Sequence, residues 1–196
     1  MLVGGLELAT CEPDTVRGEE CRHFRATIEL SVRFVFRARY VQDAWATFDD
    51  LVTLRTSKET EETRYRARWT ADYLYDDSVV CYSDGDTFAL GVESRDLLTT
   101  WQWLRTLPLA SRDTVRLHVH SDRRDQDVTL VARGYHAVET ACGRFRTIEI
   151  AQRGQGIVGT MFISSDGRRL PVLIRTTISG VPLTAQLRSI EPGESQ

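Results

Sequence analysis

Asparagine does not occur in this chain, and of its 25 basic residues only Lys58 is a lysine. Both residue types have AT-rich codons, so a G+C-rich coding sequence depletes them together. The arginines then need no phosphate partner to account for their number. No run approaches the ~20 apolar residues of a bilayer-crossing helix, so a membrane span is not expected. The formal net charge is −3, whereas a general nucleic-acid surface shows a basic excess concentrated on one face; nucleic acid is excluded as an expected partner. The four cysteines include no C-x-x-C pair and are too few to define a framework by themselves. There is no G-x-S-x-G elbow and no H-E-x-x-H helix, and no catalytic residue is named. The opening "MLVGGLELATCEP" has neither a basic n-region nor a sufficient apolar h-region. A cytosolic protein, or a sequence that begins after cleavage, is therefore expected.

What is present suits one β domain over 1–192 with a fraying tail at 193–196. At 196 residues and 41% hydrophobic content, the chain can bury a core without staples. The dominant signal is period two. From Phe24 onward, Ala26, Ile28, Leu30, Val32, Phe34 and Phe36 take every second position, with Arg25, Thr27, Glu29, Ser31, Arg33 and Arg37 between them. The alternation returns with Tyr65, Ala67, Trp69, Ala71, Tyr73 and Tyr75 against Arg64, Arg66, Arg68, Thr70 and Asp72. These read as two long strands, each with one buried face. Strands of about 15 residues extend roughly 50 Å, against a diameter of about 40 Å for a compact domain of this size. The sheet must twist and curl. Further strands are expected from Val41 to Phe48, Leu51 to Thr60, Val79 to Val92 with a break at Asp84-Gly85, Thr114 to His120, Val128 to Thr140, Phe145 to Gln152, Ile157 to Ser164, Leu170 to Ile178, and Leu183 to Glu191.

One segment breaks this rhythm. "SRDLLTTWQWLRTLP" places Leu97, Trp101 and Leu104 at helical spacing, with Leu98 alongside, Ser94 as N-cap, Asp96 in the first turn, Arg105 in the last and Pro108 as a stop. The helix is expected to cover the concave sheet face, against the row that includes Phe34 and Trp69. Near the start, Cys11 and Cys21 flank "PDTVRGE" symmetrically. A hairpin centred near Val16 would set them opposite each other, as a cross-strand disulfide or as two free thiols.

"RGQGIVGT" carries Gly154, Gly156 and Gly159 in G-x-G-x-x-G spacing. A dinucleotide turn must lie between a strand and a helix, with an acidic residue about 20 positions later. Here an alternating β segment follows, and the positions around Ser179 offer no carboxylate. The glycines read as a bend or hairpin that binds no nucleotide. His118 and His120 share a strand face with Asp122 close behind, but a metal site needs third and fourth ligands that the sequence does not place. No metal and no cofactor are expected. Asp49, Asp50, Asp76, Asp77, Asp84 and Asp86 gather near strand ends, where solvated loops account for them. The aromatic rows remain. Phe34, Phe36, Tyr65, Trp69, Tyr73 and Trp101 either fill a core or line a ligand cleft in a curved sheet, and they are the expected ligand-binding residues.

In the C-terminal half, "LRTLPL", "DTVRLHVHSDRRDQDVTL", "VETACGRFRTIEI" and "SSDGRRLPVLIRTTIS" followed by "AQL" resemble, in order and spacing, the bacterial exported proteins of domain of unknown function 3108. The resemblance implies a mainly β fold: a strongly curved antiparallel sheet or incompletely closed β-barrel with one helix in its concavity, similar in outline to the lipoprotein carriers of the bacterial cell envelope. Members usually carry a signal peptide, which this sequence does not show. It also has Ala141-Cys142 where a Pro-Ala pair is more usual. The resemblance implies no catalytic residues. The function expected from it is a non-enzymatic periplasmic or envelope protein that binds a lipid, lipidated chain or glycan in a concave β face. The alternatives are an enzyme using the same pocket, or a scaffold that pairs with a protein partner through strand edges.

Overall fold

The computed structural model describes residues 3–32, 36–121, 123–153, 158–178 and 181–188. The expected frayed tail at 193–196 lies outside them. The described chain is mainly antiparallel β with one helix. It falls into two compact units: Met1–Gln102 with Leu117–Asp127, and Trp103–Arg116 with Val128–Gln196.

The first unit holds β1 (Val3–Thr10), β2 (Asp14–Val16), β3 (Glu19–Val32), β4 (Phe36–Ala46), β5 (Thr53–Glu62), β6 (Tyr65–Leu74), β7 (Val79–Tyr82) and β8 (Thr87–Ala89). They form one sheet in the order β1-β3-β4-β5-β6-β7-β8, with β2 also paired to β3. The alternation that suggested these strands is the physical cause of their pairing. Phe24, Ala44, Thr56, Ala71 and Tyr82 are successive cross-strand partners from β3 to β7, and all five are buried. Burying one such row fixes the register, because a one-residue slip would turn every member to the other face.

Two expectations about this sheet require correction. The run from Phe24 to Arg37 is not one strand: β3 ends at Val32 and β4 begins at Phe36, antiparallel to it. The alternation continues through the reversal, so the pattern alone could not reveal it. Cys11 and Cys21 also do not face each other. The reversal is a two-residue turn at Arg17 and Gly18, both with positive φ (53° and 85°), the geometry of a type I′ hairpin. It sets Cys21 opposite Asp14, while the Cys11 N–H donates to the His23 carbonyl at 2.8 Å. Both are free thiols.

The helix, α1, spans Leu97–Thr106. Its N-cap is Asp96, not Ser94: an Asp96 carboxylate oxygen accepts the Thr99 N–H at 2.7 Å, the bond a cap supplies to an orphan donor of the first turn. Leu98, Trp101 and Leu104 are buried. Leu97, expected on that stripe, is half-buried.

In the second unit, β11 (Gly143–Gln152), β12 (Thr160–Ser164), β13 (Pro171–Ile178) and β14 (Val181–Gln186) continue a sheet of order β14-β13-β12-β11-β10-β9. β9 (Thr114–Ser121) and β10 (Arg124–Thr140) contribute residues to both units. Ala132, Ile150, Met161, Ile174 and Ala185 form a buried row across it. Arg169 donates to the carbonyls of Arg105 and Leu107 at the C-terminal end of α1, and Arg105 returns a bond to the Arg169 carbonyl at 3.1 Å.

The glycine motif lies between antiparallel strands β11 and β12, as the sequence context requires. Gly154 and Gly156 are outside the described residues. Gly159 has φ +72°, and a Cβ there would collide with the Arg175 carbonyl oxygen.

Candidate functional site

The two faces of the first unit's sheet differ in chemistry. Behind the core row lies a polar ladder. Asp43 accepts from His23 Nε2 at 2.8 Å and from Arg25 Nε at 2.7 Å. The His23 ring stacks on Trp45 at 4.6 Å, and Trp45 Nε1 donates to Asp14 at 2.8 Å. Arg55 and Arg17 share Asp72. These contacts satisfy one another and leave little for a ligand.

The core-side face is graded. Beyond the buried row, Ala26 pairs with Gln42, Gln42 with Lys58, and Lys58 with Trp69. The next row runs from Ile28 through Tyr40 and Thr60 to Ala67. Side chains two apart on a strand share a face, so Tyr65, Ala67, Trp69, Ala71 and Tyr73 descend β6 on one side. Tyr65 is 57% exposed, Trp69 half-buried and Tyr73 only 1% exposed. Trp69, Tyr75 and Phe88 pack on the buried cluster of Ala71, Tyr73, Val80, Tyr82 and Leu90. The Tyr40 hydroxyl donates to Glu62 at 2.8 Å; burial and that bond push its pKa up to about 12.

Of the expected ligand-binding residues, Tyr65, Trp69 and Tyr73 therefore lie on one strand face. Trp101 is 3% exposed on α1. Phe34 is outside the described residues. Phe36 opens β4 opposite Val32, and its side chain is outside what the structure describes.

The histidines of β9 enter a network that the sequence did not assemble. Tyr82 and His120 are buried, with the Tyr82 hydroxyl 3.0 Å from His120 Nε2. His120 Nδ1 is 3.8 Å from Asp125. Asp125 also accepts the Ser94 hydroxyl at 2.5 Å and the Gly91 N–H at 3.1 Å. His118 Nδ1 lies 3.0 Å from Asp127 and 3.6 Å from Asp125. A Cβ on Gly91 would sit 2.8 Å from the His118 ring, so the chain before α1 is drawn tight against β9 and β10. Arg123 closes the network: its guanidinium lies 4.8 Å from the Tyr82 ring centroid and pairs with Asp84 and Asp86. Among the described residues, no group of three or more His, Cys, Asp or Glu is placed to hold a metal ion. No described helix is long and apolar enough to cross a membrane.

The sequence matches the family described as "Protein of unknown function (DUF3108)" across residues 3–187. The chain belongs to the DUF3108 family. No curated protein matches this DUF3108 chain. Among solved structures it is similar to a β-barrel-like protein of domain of unknown function DUF1849 from Brucella abortus, at 14% identity over 93% of this chain and 79% of that one, with a TM-score of 0.51. A DUF1089 family protein from Pseudomonas aeruginosa is similar at 8% identity over 86% of this chain and 88% of that one, with a TM-score of 0.49. The first likeness is one of fold.

Sequence reading of this DUF3108 protein found His118 and His120 but missed Asp125, Ser94 and Tyr82. The one available signal was the D-x-D of "RDQD" following the H-x-H. Its meaning depends on how β10 returns past β9, which spacing does not reveal.

Proposed function

We propose that this DUF3108 protein is a non-enzymatic protein of the bacterial cell envelope, working in the periplasm, that binds an apolar or amphipathic ligand on the graded face of its first sheet. The observation that carries the reading is the β6 row, which passes from exposed Tyr65 through half-buried Trp69 to buried Tyr73. Such a row offers an acyl chain or sugar ring aromatic surface continuous with the core. Lys58, the partner of Trp69 in the sheet, supplies a cation for the polar end of an amphiphile. The burial of the Tyr82–His120 pair, with the hydroxyl engaged to Nε2, supports a non-enzymatic reading. Envelope location and the finer architecture, an incompletely closed barrel around the helix in the outline of a lipoprotein carrier, rest on the family resemblance. Phe34, Phe36 and Trp101 belong to the same proposal as further lining.

Titration with myristate, followed by tryptophan emission and native mass spectrometry, tests it. Saturable one-to-one binding that weakens at least about tenfold in Trp69→Ala, a loss of roughly 1.4 kcal/mol, is expected. No saturable binding, or the same binding in Trp69→Ala, overturns the reading.

A further inference from the structure

In the second unit, a cleft of about 390 Å³ opens where the start of β11 parts from the turn after β12. Cys142, Gly143, Arg144, Phe145 and Arg146 form one wall, and Ser164, Ser165, Asp166 and Arg168 the other. Phe145 is buried with Leu170 and Val172. The walls carry three guanidinium groups and a single carboxylate, and that carboxylate is already occupied. Asp166 accepts the Ser164 hydroxyl at 2.6 Å on one oxygen and Arg168 at 2.7 Å on the other. Arg144 and Arg146 are exposed and have no carboxylate partner among the described residues. The Arg146 guanidinium carbon lies 4.3 Å from the Tyr135 ring centroid, a cation–π contact that leaves its N–H donors uncommitted.

The backbone adds donors. The Arg146 carbonyl accepts the Ser165 N–H at 2.8 Å, so it points toward the β12 side. A strand residue sends its N–H and C=O to the same side, and alternate residues repeat the direction. The Arg144 N–H therefore faces the same cleft, beyond the last pair of β12. Added Cβ atoms at Gly143 and Gly167 would meet nothing within 4 Å, so there is open space beside both turns.

We infer that this cleft binds an oxyanion, a phosphate group above all, between the guanidinium groups of Arg144 and Arg146. Fork-shaped donors match phosphate oxygens in pairs, and one wall's negative charge is neutralised in advance. The abundance of arginine in the chain does not enter the argument, which rests on two guanidinium groups of one cleft wall that have no carboxylate partner among the described residues. The site is independent of the amphiphile face in the first unit.

The test uses the full chain and inorganic phosphate, followed by calorimetry and amide NMR. Saturable binding with a dissociation constant on the order of 1 mM is expected, with shifts confined to 142–146 and 164–168. Arg144→Gln and Arg146→Gln should each weaken it at least about tenfold, while Arg133→Gln, an exposed arginine paired with Glu149, leaves it unchanged. Melting temperatures of the variants confirm that each remains folded. A second arm uses phosphatidylcholine vesicles with and without phosphatidic acid. Arginine-dependent binding of acidic vesicles identifies a lipid headgroup as the source of the phosphate, and binding of the free ion alone identifies a soluble one. No saturation by phosphate, or binding that is unchanged in both glutamine variants, overturns the inference.

Discussion

The Tyr82 hydroxyl and the His120 imidazole meet at 3.0 Å with both side chains buried. With Tyr82 donating to Nε2, the ring proton sits on Nδ1, facing Asp125. Tyr82→Phe leaves Nε2 without its donor and should cost about 1 to 3 kcal/mol in urea denaturation.

The same pair makes the protein sensitive to acid. Burial pushes the His120 pKa down, against the opposing pull of Asp125. A histidine with a depressed folded pKa binds fewer protons folded than unfolded. Its contribution is complete above the unfolded value of about 6.5 and is lost as pH falls from there toward the folded value. Stability should drop as pH falls below about 6.5, and the drop should be shallower in His120→Gln. An equal slope in that variant would assign the acid sensitivity to other groups.

At Asp96 the sign reverses. Desolvation raises the pKa of this buried cap, although Thr99 and Gln42 hydrogen bonds oppose the rise. A carboxyl with a raised folded pKa contributes stability that is present below the unfolded value of about 3.9 and lost as pH rises through the folded one. Asp96→Ala should cost about 1 to 2 kcal/mol through loss of the cap. Asp96→Asn keeps an acceptor without the charge, so its stability relative to the parent should improve as pH rises. Thermal melts of parent and variant across that range check the sign.

Trp101 is buried, and its indole N–H has no hydrogen-bond partner among the described residues. Trp101→Ala should cost roughly 3 to 5 kcal/mol. Trp101→Phe, which removes the unpartnered donor and keeps an aromatic ring, should cost clearly less. Equal losses in the two variants would show that the N–H is satisfied in solution.

Gly159→Ala must accommodate a Cβ 2.9 Å from Thr176 Cα at a backbone φ of +72°. A loss above about 2 kcal/mol is expected. Gly167→Ala, with open space around the added carbon, should stay within about 0.5 kcal/mol of the parent. Calorimetry with NAD should show no saturable heat in either protein.

Gly159 also marks what the sequence could convey. That "GTMFISS" continues as strand rather than helix was readable from alternation, and β12 bears that out. The need for glycine came from β13, whose carbonyl at Arg175 passes where a side chain would stand, and no local pattern encodes that approach. The rows of β3 to β6 were legible for the same reason as this strand, because burial imposes period two. The reversal after Val32 was hidden because Phe34 and Phe36 keep the same parity across it. Ser94 looked like the cap because its residue type suits the place. The serine instead bonds Asp125, a partner 31 positions away that only the folded chain brings near.

The path of the chain through its two units limits how the protein can be made or cut. Residues 103–116 belong to the second unit and residues 117–127 to the first. The strand pair carrying His118, His120 and Asp125 therefore reaches the first unit only after an excursion into the second. During synthesis the N-terminal unit is not complete when residue 102 leaves the ribosome; it lacks His118, His120 and Asp125 until residue 127 has followed. No single cleavage point yields both units whole, and a fragment ending at 102 would present Tyr82, Ser94 and Gly91 without the groups that bind them.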